Sequence, residues 1–357
     1  MRLALGLISG TSMDGIDAAL IETDGELVGA RRGAITLPYP TALRAELLAI
    51  AADPARAAGP LDDIEGAVTQ ANAAAARAVI EQAALEARAI AVVGLHGQTV
   101  LHRPERRYTR QLGDGALLAR LLGIDVIAGF RLADVAAGGQ GAPFAPLYHA
   151  ALARDLDQPL AVLNLGGVAN VTFLDAGTII AFDTGPASAM LDDWVRRHTG
   201  RAFDEGGRIA ASGRVDQARL ARLLAHPFFA VKPPKSLDRN DFPLAAMEGL
   251  SLADGAATLA AFTVAAVARS LTHLPAPPIR WLVAGGGRHN ATLMGGLAAA
   301  LRAPVEPVET VGWNGDSLEA ELFGFLALRS LRGLPLSLPS TTGVPVPMPG
   351  GVVYRPN

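Results

Sequence analysis

The sequence predicts an α/β protein of two domains, each a mixed sheet flanked by helices, and three observations carry that reading. The chain has 357 residues, enough for two domains of ordinary size with separate cores. Short apolar runs of strand length alternate with longer stretches of helical period. One pattern, strand, glycine turn, strand, turn, strand, occurs twice, first from Leu3 to Ile35 and again from Leu160 to Phe182. A repeat spaced by about half the chain implies two related domains that face one ligand across a cleft.

Taken in order, Leu3 to Ile8 is an apolar run that breaks into Ser9-Gly10-Thr11-Ser12, and the apolar pattern resumes after Gly15. That is a hairpin with an oversized, hydroxyl-rich turn. Thr23-Asp24-Gly25 returns the chain into a third strand. Thr41 is expected to cap a helix with Leu43, Leu47 and Leu48 on one face, and Leu61 to Ala87 a long Ala-rich helix. Ile90 to Leu95 reads as a buried parallel strand emptying into the loop His96-Gly97-Gln98-Thr99, where open α/β sheets place ligands. The arginine-rich block 103–110 reads as a solvated hairpin. A helix from Gly115 and a strand Ile124 to Ala128 follow, and the domain junction is placed next, giving domains 1–128 and 129–339. The Pro- and Gly-rich tail 340–357 is expected to be irregular, packed on the surface and part of the first domain. In the second half, helices are expected at 190–198, 215–224 and 255–271. A strand 279–284 then meets Gly285-Gly286-Gly287, and helices at 291–301 and, capped by Ser317, through Leu331 complete the chain.

Composition narrows the function. A net charge of −3 argues against a general nucleic-acid binder, which needs a basic face to displace counterions. The chain has no cysteine, which removes disulfides, thiolate metal sites and cysteine nucleophiles together. The first apolar run is shorter than a signal-peptide core, and the most apolar later stretch, 256–268, is too short for a bilayer. The expectation is a cytoplasmic protein with no membrane partner.

The chemistry sits on the turns. Gly10 to Gly15 offers backbone N–H groups and the Thr11 and Ser12 hydroxyls to phosphate oxygens. Asp14 and Asp17 would repel bare phosphate, so a bridging Mg2+ reconciles them; a simple capped turn is the alternative. No Gly-Lys-Ser/Thr follows, so this is not a Walker loop. Asp183, in Phe182-Asp183-Thr184-Gly185-Pro186, ends an apolar strand at a turn. A partly desolvated carboxylate there has a raised pKa and serves as a base near neutral pH; capping the helix near Ser188 is the alternative.

The three glycine turns, 10–15, 166–167 and 285–287, resemble the two phosphate loops and the adenosine loop of the actin-like ATPase superfamily. A closer resemblance is to anhydro-N-acetylmuramic acid kinases. It is carried in order by Ser9 to Asp17, Leu95 to Thr99, Gly138 to Pro143, Asn164 to Asn170, Phe182 to Pro186, Gly285 to Asn290 and Leu318-Glu319-Ala320. The resemblance implies a cytoplasmic, dimeric enzyme of peptidoglycan recycling. It would convert 1,6-anhydro-N-acetylmuramate, ATP and water to N-acetylmuramate 6-phosphate and ADP in an interdomain cleft.

On that resemblance Asp183 is the base and Glu319 a supporting carboxylate; an acid in the first turn of a helix, favourable by the dipole alone, is the alternative for Glu319. Gly10, Thr11, Ser12, Met13, Asp14, Gly15, Ile16 and Asp17 would hold the phosphates, with Asp14 and Asp17 reaching Mg2+. Gly166, Gly167, Gly285, Gly286, Gly287 and Asn290 would complete the nucleotide site. Gln98, Thr99, Asp114, Arg131 and Asp134 are the candidate sugar contacts. Arg131 either meets the lactyl carboxylate or forms an ion pair with Asp134. His96 reads as a packed, hydrogen-bonded residue, and the stretch with Phe228, Phe229, Lys232, Lys235 and Ser236 has no assigned role. The chain departs from the family pattern at Gly129, Ala187-Ser188, Ala284 and 314–317, which bears on sugar orientation. A nucleotide-gated binding module, the reading of another class, finds no separate peptide-binding domain in the chain. A kinase for a different sugar is separable by a substrate panel.

Overall fold

The computed structural model describes residues 1–10, 12–237 and 241–356. It divides into two compact units, Met1–Arg154 with Ser317–Asn357, and Asp155–Asp316.

In the first unit, β1 (Arg2–Ser9), β2 (Gly15–Thr23) and β3 (Val28–Pro38) form the antiparallel meander. β4 (Ile90–Arg103) lies parallel to β1 and antiparallel to β5 (Tyr108–Leu112), and β6 (Val126–Ala128) lies parallel to β4. One face carries Leu5, Leu7, Leu20 and Val93, packed against Val68, Ala75 and Val79 of the long helix Asp62–Gln82. The other face receives the helix Leu318–Leu331 at very short range. A Cβ at Gly6 would lie 1.8 Å from the Ala320 carbonyl oxygen, and one at Gly94 2.0 Å from that of Phe323. Only glycine permits that backbone approach.

The second unit repeats the plan. β7 (Leu160–Leu165), β8 (Val168–Asp175) and β9 (Thr178–Pro186) are an antiparallel meander, β10 (Arg280–Ala284) lies parallel to β7, and β11 (Val305–Pro307) lies parallel to β10. The order β11-β10-β7-β8-β9 matches β6-β4-β1-β2-β3 of the first unit. Trp281, Val283, Leu163 and Leu165 fill one core with Leu297 and Leu301 of the helix Ala291–Leu301. Helices Ser188–Thr199 and Leu252–Ser270 build another around Trp194, Leu259 and Phe262.

Several expectations change. β4 does not stop at Leu95: it continues through His96, Gln98 and Thr99 to Arg103, because 98–103 pairs with β5. The polar residues there are hydrogen-bonded strand positions, not a loop. The junction expected at 128/129 falls inside the first unit, which continues through helices Leu132–Ala136 and Ala145–Leu152 and regains the chain at Ser317. The tail is not wholly irregular, since β12 (Val352–Tyr354) pairs with β6. Pro40 rather than Thr41 occupies the N-cap of helix Thr41–Ala52. Ser317 stands at the N-cap of Leu318–Leu331 without a capping bond, and its hydroxyl donates to Glu321 Oε1 at 2.8 Å instead. The apolar stretch near 256–268 belongs to a helical run, 252–273, long and apolar enough by composition to cross a membrane. Most of its apolar surface is packed inside the second unit, as in a core helix.

Candidate active site

In the second unit β9 delivers Asp183 and the turn that follows it. The Asp183 amide donates to the Lys235 carbonyl at 3.0 Å, and its Oδ2 accepts from the Leu237 amide at 2.8 Å. Asp183 is half-buried as a residue, and burial of its carboxyl pushes the pKa up to about 7, against the opposing pull of the Leu237 N–H and Lys235. Such a group exists in both protonation states near neutrality, as a general base requires. Asp183 does not cap the following helix, whose N-cap is Ala187.

The turn Gly166-Gly167 is tied to that same helix start. Gly166 O accepts from the Ser188 amide at 3.0 Å and its hydroxyl at 2.7 Å, while Gly167 O accepts from the Ala187 and Ala189 amides at 3.0 and 3.3 Å. The third turn follows β10. Gly285 has φ +77°, and a Cβ there would sit 2.4 Å from Asn164 Oδ1; one at Gly287 would sit 2.6 Å from Leu165 Cβ. Side chains at either position are excluded on steric grounds, whereas Gly286 has nothing within 4 Å. Asn290 caps the helix Ala291–Leu301 through Oδ1, which accepts from the Leu293 amide at 3.0 Å.

Gly286, Gly287 and Asn290 open into a cavity of about 390 Å³ whose lining includes Ser188, Leu191, Leu293 and Phe203. Phe203 is 57% exposed. Small backbone, branched aliphatics and one uncovered ring suit a flat heterocycle. Sequence reasoning found the glycines and Asn290 but missed Phe203 and Leu191. The available signal for Phe203 was a large aromatic between helices, in Gly200 to Asp204, outside any periodic apolar pattern.

In the first unit, the turn between β1 and β2 is closed by the Met13 amide donating to Gly10 O at 3.1 Å. Met13 and Ile16 bury their side chains in the core, so those two residues offer only backbone. Arg44 clasps the turn from outside: Nε donates to Met13 O at 3.1 Å, one Nη to Ser12 O at 3.4 Å, and the same nitrogen pairs with Asp14. Asp17 Oδ1 accepts from the Thr36 hydroxyl at 2.5 Å. Thr11 lies outside the described residues.

The candidate sugar contacts are not alike. Gln98 is fully buried, accepts from Ser9 Oγ at 2.7 Å and donates to Gly10 O at 3.2 Å, so it braces the stem of the turn between β1 and β2. Asp114 caps the helix Gly115–Leu122, accepting from the Ala116 and Leu117 amides. Asp134 is buried with both oxygens engaged: it accepts from the Gly141 amide at 2.6 Å and from the Ser337 and Thr342 hydroxyls at 2.5 and 2.6 Å. Thr99 Oγ1 accepts from Gln111 Nε2 at 3.3 Å and keeps its own proton to donate. Arg131 does not bond to Asp134. Its Nε donates to His96 Nε2 at 3.0 Å, one Nη bonds to the Gly141 carbonyl, and its other Nη makes no hydrogen bond among the described residues. Desolvation lowers Arg131 to about 10, partly offset by Glu319 and Asp134. His96 is held neutral by burial and by Arg131, with its pKa well below the usual histidine value. Glu319 is exposed in the first turn of Leu318–Leu331.

The profile of one family, anhydro-N-acetylmuramic acid kinase, matches residues 2–356. A relative of that description from Acidiphilium cryptum is 58% identical over 357 residues, 99% of this chain and 98% of its own. The chain belongs to the anhydro-N-acetylmuramic acid kinase family. A second relative of the same description, from Rhodospirillum rubrum, is 53% identical over 354 residues, 98% of this chain and 94% of its own. Among solved structures, component A of (R)-2-hydroxyglutaryl-CoA dehydratase from Acidaminococcus fermentans superposes with a TM-score of 0.50 at 13% identity. It covers 92% of this chain and 99% of its own. That likeness concerns the fold alone, which is of the actin-like ATPase type.

A kinase that uses a nucleotide would bring Mg2+ with it. Such an ion takes one or two carboxylates and fills its remaining positions with phosphate oxygens and water. No group of three or more metal-ligating side chains occurs among the described residues. Asp14 and Asp17, neither of them buried, supply hard oxygen donors beside the loop backbone. That donor set fits an ion held mainly by phosphate and solvent.

Proposed function

We propose that the chain uses ATP to open the 1,6-anhydro bridge of 1,6-anhydro-N-acetylmuramic acid and to phosphorylate the oxygen so released. The observation that carries the reading is Asp183, a half-buried residue anchored through one oxygen and poised near neutral pH. Asp183 takes a proton from water as the water oxygen attacks the anomeric carbon. The C1–O6 bond breaks, O6 attacks the γ-phosphorus, and the bond from that phosphorus to ADP breaks in line. Phosphoryl transfer absorbs the charge on O6, so one base suffices where a hydrolase needs a second carboxylic acid.

Backbone N–H groups of 10–15 and 166–167 would bind the phosphates, and the cavity at Gly286 and Phe203 the adenine and ribose. Asp14 and Asp17 would hold Mg2+, which neutralises phosphate charge when bound. Arg131, with donor capacity left on its guanidinium, would pair with the lactyl carboxylate. Thr99 would donate to the sugar, and Glu319 would polarise water or orient the ring. Gln98, Asp114 and Asp134 would act one step back, shaping the elements that carry these groups. The setting is peptidoglycan recycling in the cytoplasm, by a homodimer without nucleic-acid or membrane partners; light scattering of the purified protein tests the dimer.

The test is turnover in H2(18)O with ATP, Mg2+ and the anhydro sugar. ADP release should match formation of the 6-phosphate, with heavy oxygen on the anomeric carbon and none in the phosphate. Label in the phosphate, or ADP release indifferent to the sugar, overturns the reading.

A further inference from the structure

The segment 228–237 belongs to no sheet, yet it is fastened to Asp183 twice. Lys235 O accepts from the Asp183 amide at 3.0 Å, and the Leu237 amide donates to Asp183 Oδ2 at 2.8 Å. One tripeptide therefore holds both the backbone and the side chain of that residue. The second oxygen, Oδ1, accepts no hydrogen bond among the described residues, which leaves it for a water molecule.

Lys235 at the head of this strap is 8% exposed, unusual for a lysine, whose long stem normally carries the ammonium out to water. Its Nζ donates to Phe228 O at 3.1 Å and lies 4.3 Å from the centre of the Phe228 ring and 5.9 Å from that of Phe182. A carbonyl oxygen and the face of a π-system both attract a cation. The pocket is thus built around a charged ammonium and keeps it beside the base.

Given Asp183 as the base, we propose that Lys235 is its positioning residue: the ammonium, pinned by Phe228, keeps the 235–237 strap closed on the carboxylate and supplies the charge that holds it ionised between turnovers. Lys235 acts through Asp183 and touches no reacting atom. Burial works against the Lys235 charge; among the described residues the titratable groups that face it are Asp183, which favours its charged form, and His273, which burial and then Lys235 disfavour as a cation. At Asp183, burial acts in one direction and the Leu237 N–H and Lys235 in the other. Loss of the lysine charge therefore moves the carboxyl further up.

The experiment is the pH dependence of kcat/KM in the wild type, Lys235→Met, Lys235→Arg and Phe228→Leu. Lys235→Met should move the acid limb upward by about one pH unit, the effect of one nearby charge, with activity recovering in alkali. Lys235→Arg should leave the limb in place, and Phe228→Leu should give a smaller shift in the same direction. A pH-independent loss in Lys235→Met, with the limb unmoved, overturns the proposal; if that variant does not fold, an unmoved limb in Phe228→Leu does the same. Asp183→Asn, assayed alongside, separates the two readings. Turnover retained there removes Asp183 as the base, whereas turnover lost with an unmoved limb in the lysine variant removes only Lys235.

Discussion

Asp134 in the first unit and Asp183 in the second are both carboxylates withdrawn from bulk water, and their environments differ in one respect. Asp134 receives an amide and two hydroxyls, whereas the Asp183 carboxyl receives, among the described residues, one hydrogen bond, from the Leu237 amide, and is pushed up to about 7 by burial. A carboxylate with both oxygens engaged is mortar. One with an oxygen to spare, and with its charge only partly compensated, can exchange a proton. The comparison teaches that burial alone does not identify a catalytic acid; the unmet hydrogen-bonding capacity does.

The same isosteric change should therefore have opposite consequences at the two sites. Asp183→Asn keeps an oxygen for the Leu237 amide but cannot take a proton, and kcat should fall on the order of 10³-fold. It should also stabilise the fold. With its folded pKa raised by burial above the ordinary aspartate range, Asp183 contributes stability that is fully present below the unfolded pKa and is lost as pH rises through about 7. At pH 8 the amide should thus raise the unfolding free energy by on the order of 1–3 kcal/mol, discounted for partial exposure. Thermal melts at pH 5 and pH 8 check the sign: the gain should shrink at the lower pH. In the wild type, kcat/KM should fall about tenfold per pH unit on the acid side of neutrality, since a protonated base is inactive. Asp134→Asn, by contrast, still accepts from Gly141, and the Ser337 and Thr342 hydroxyls can turn to accept from the new amide. It should cost on the order of 1–2 kcal/mol of stability and leave the pH profile unmoved. A shifted acid limb in Asp134→Asn would break the contrast.

These two residues also mark what the sequence could disclose. The duplicated meander was legible because alternation of apolar residues and glycine turns is a local signal, and it holds in both sheets. Asp183 was legible because the Gly-Pro turn after an apolar strand is local too. The role of Asp134 was not, since its hydroxyl partners lie 203 and 208 residues away, and Gln98 meets Ser9 across 89 residues. The strand continuing through His96 to Arg103 was missed for a related reason. Polar residues in a strand look like a loop until the partner strand that satisfies them is known. The cavity at Phe203 depends on packing among segments from 188 to 293, which no single window reveals.

Phe203→Ala sharpens the second unit's nucleotide reading. If the exposed ring stacks on adenine as proposed, its loss should raise KM for ATP several-fold, on the order of 1 kcal/mol, with kcat and KM for the sugar little changed. Equal effects on both substrates would assign the ring to the core instead of the ligand.

The smallest effect is expected where the two phosphate-type turns themselves are compared. The turn of the first unit is held from outside by Arg44, whose ion pair with Asp14 is exposed, at 43% and 67% of side-chain area. Exposed pairs contribute at most about 1 kcal/mol, so Arg44→Ala should leave the melting temperature within a few degrees. The turn of the second unit is held from within, by backbone amides of 187–189 and the Ser188 hydroxyl. Ser188→Ala removes one of the four hydrogen bonds that hold the turn and should cost about 1 kcal/mol, independent of salt. The distinguishing measurement is KM for ATP against ionic strength. Arg44→Ala should raise KM by a factor of about two to five at low salt and converge on the wild type at high salt, because a surface guanidinium near bound phosphate is screened. Ser188→Ala should show the same ratio to wild type at every salt concentration. If Arg44→Ala behaves in that second way, Arg44 acts on the turn's shape through Met13 and Ser12 rather than through charge, and the two turns are held by one principle, not two.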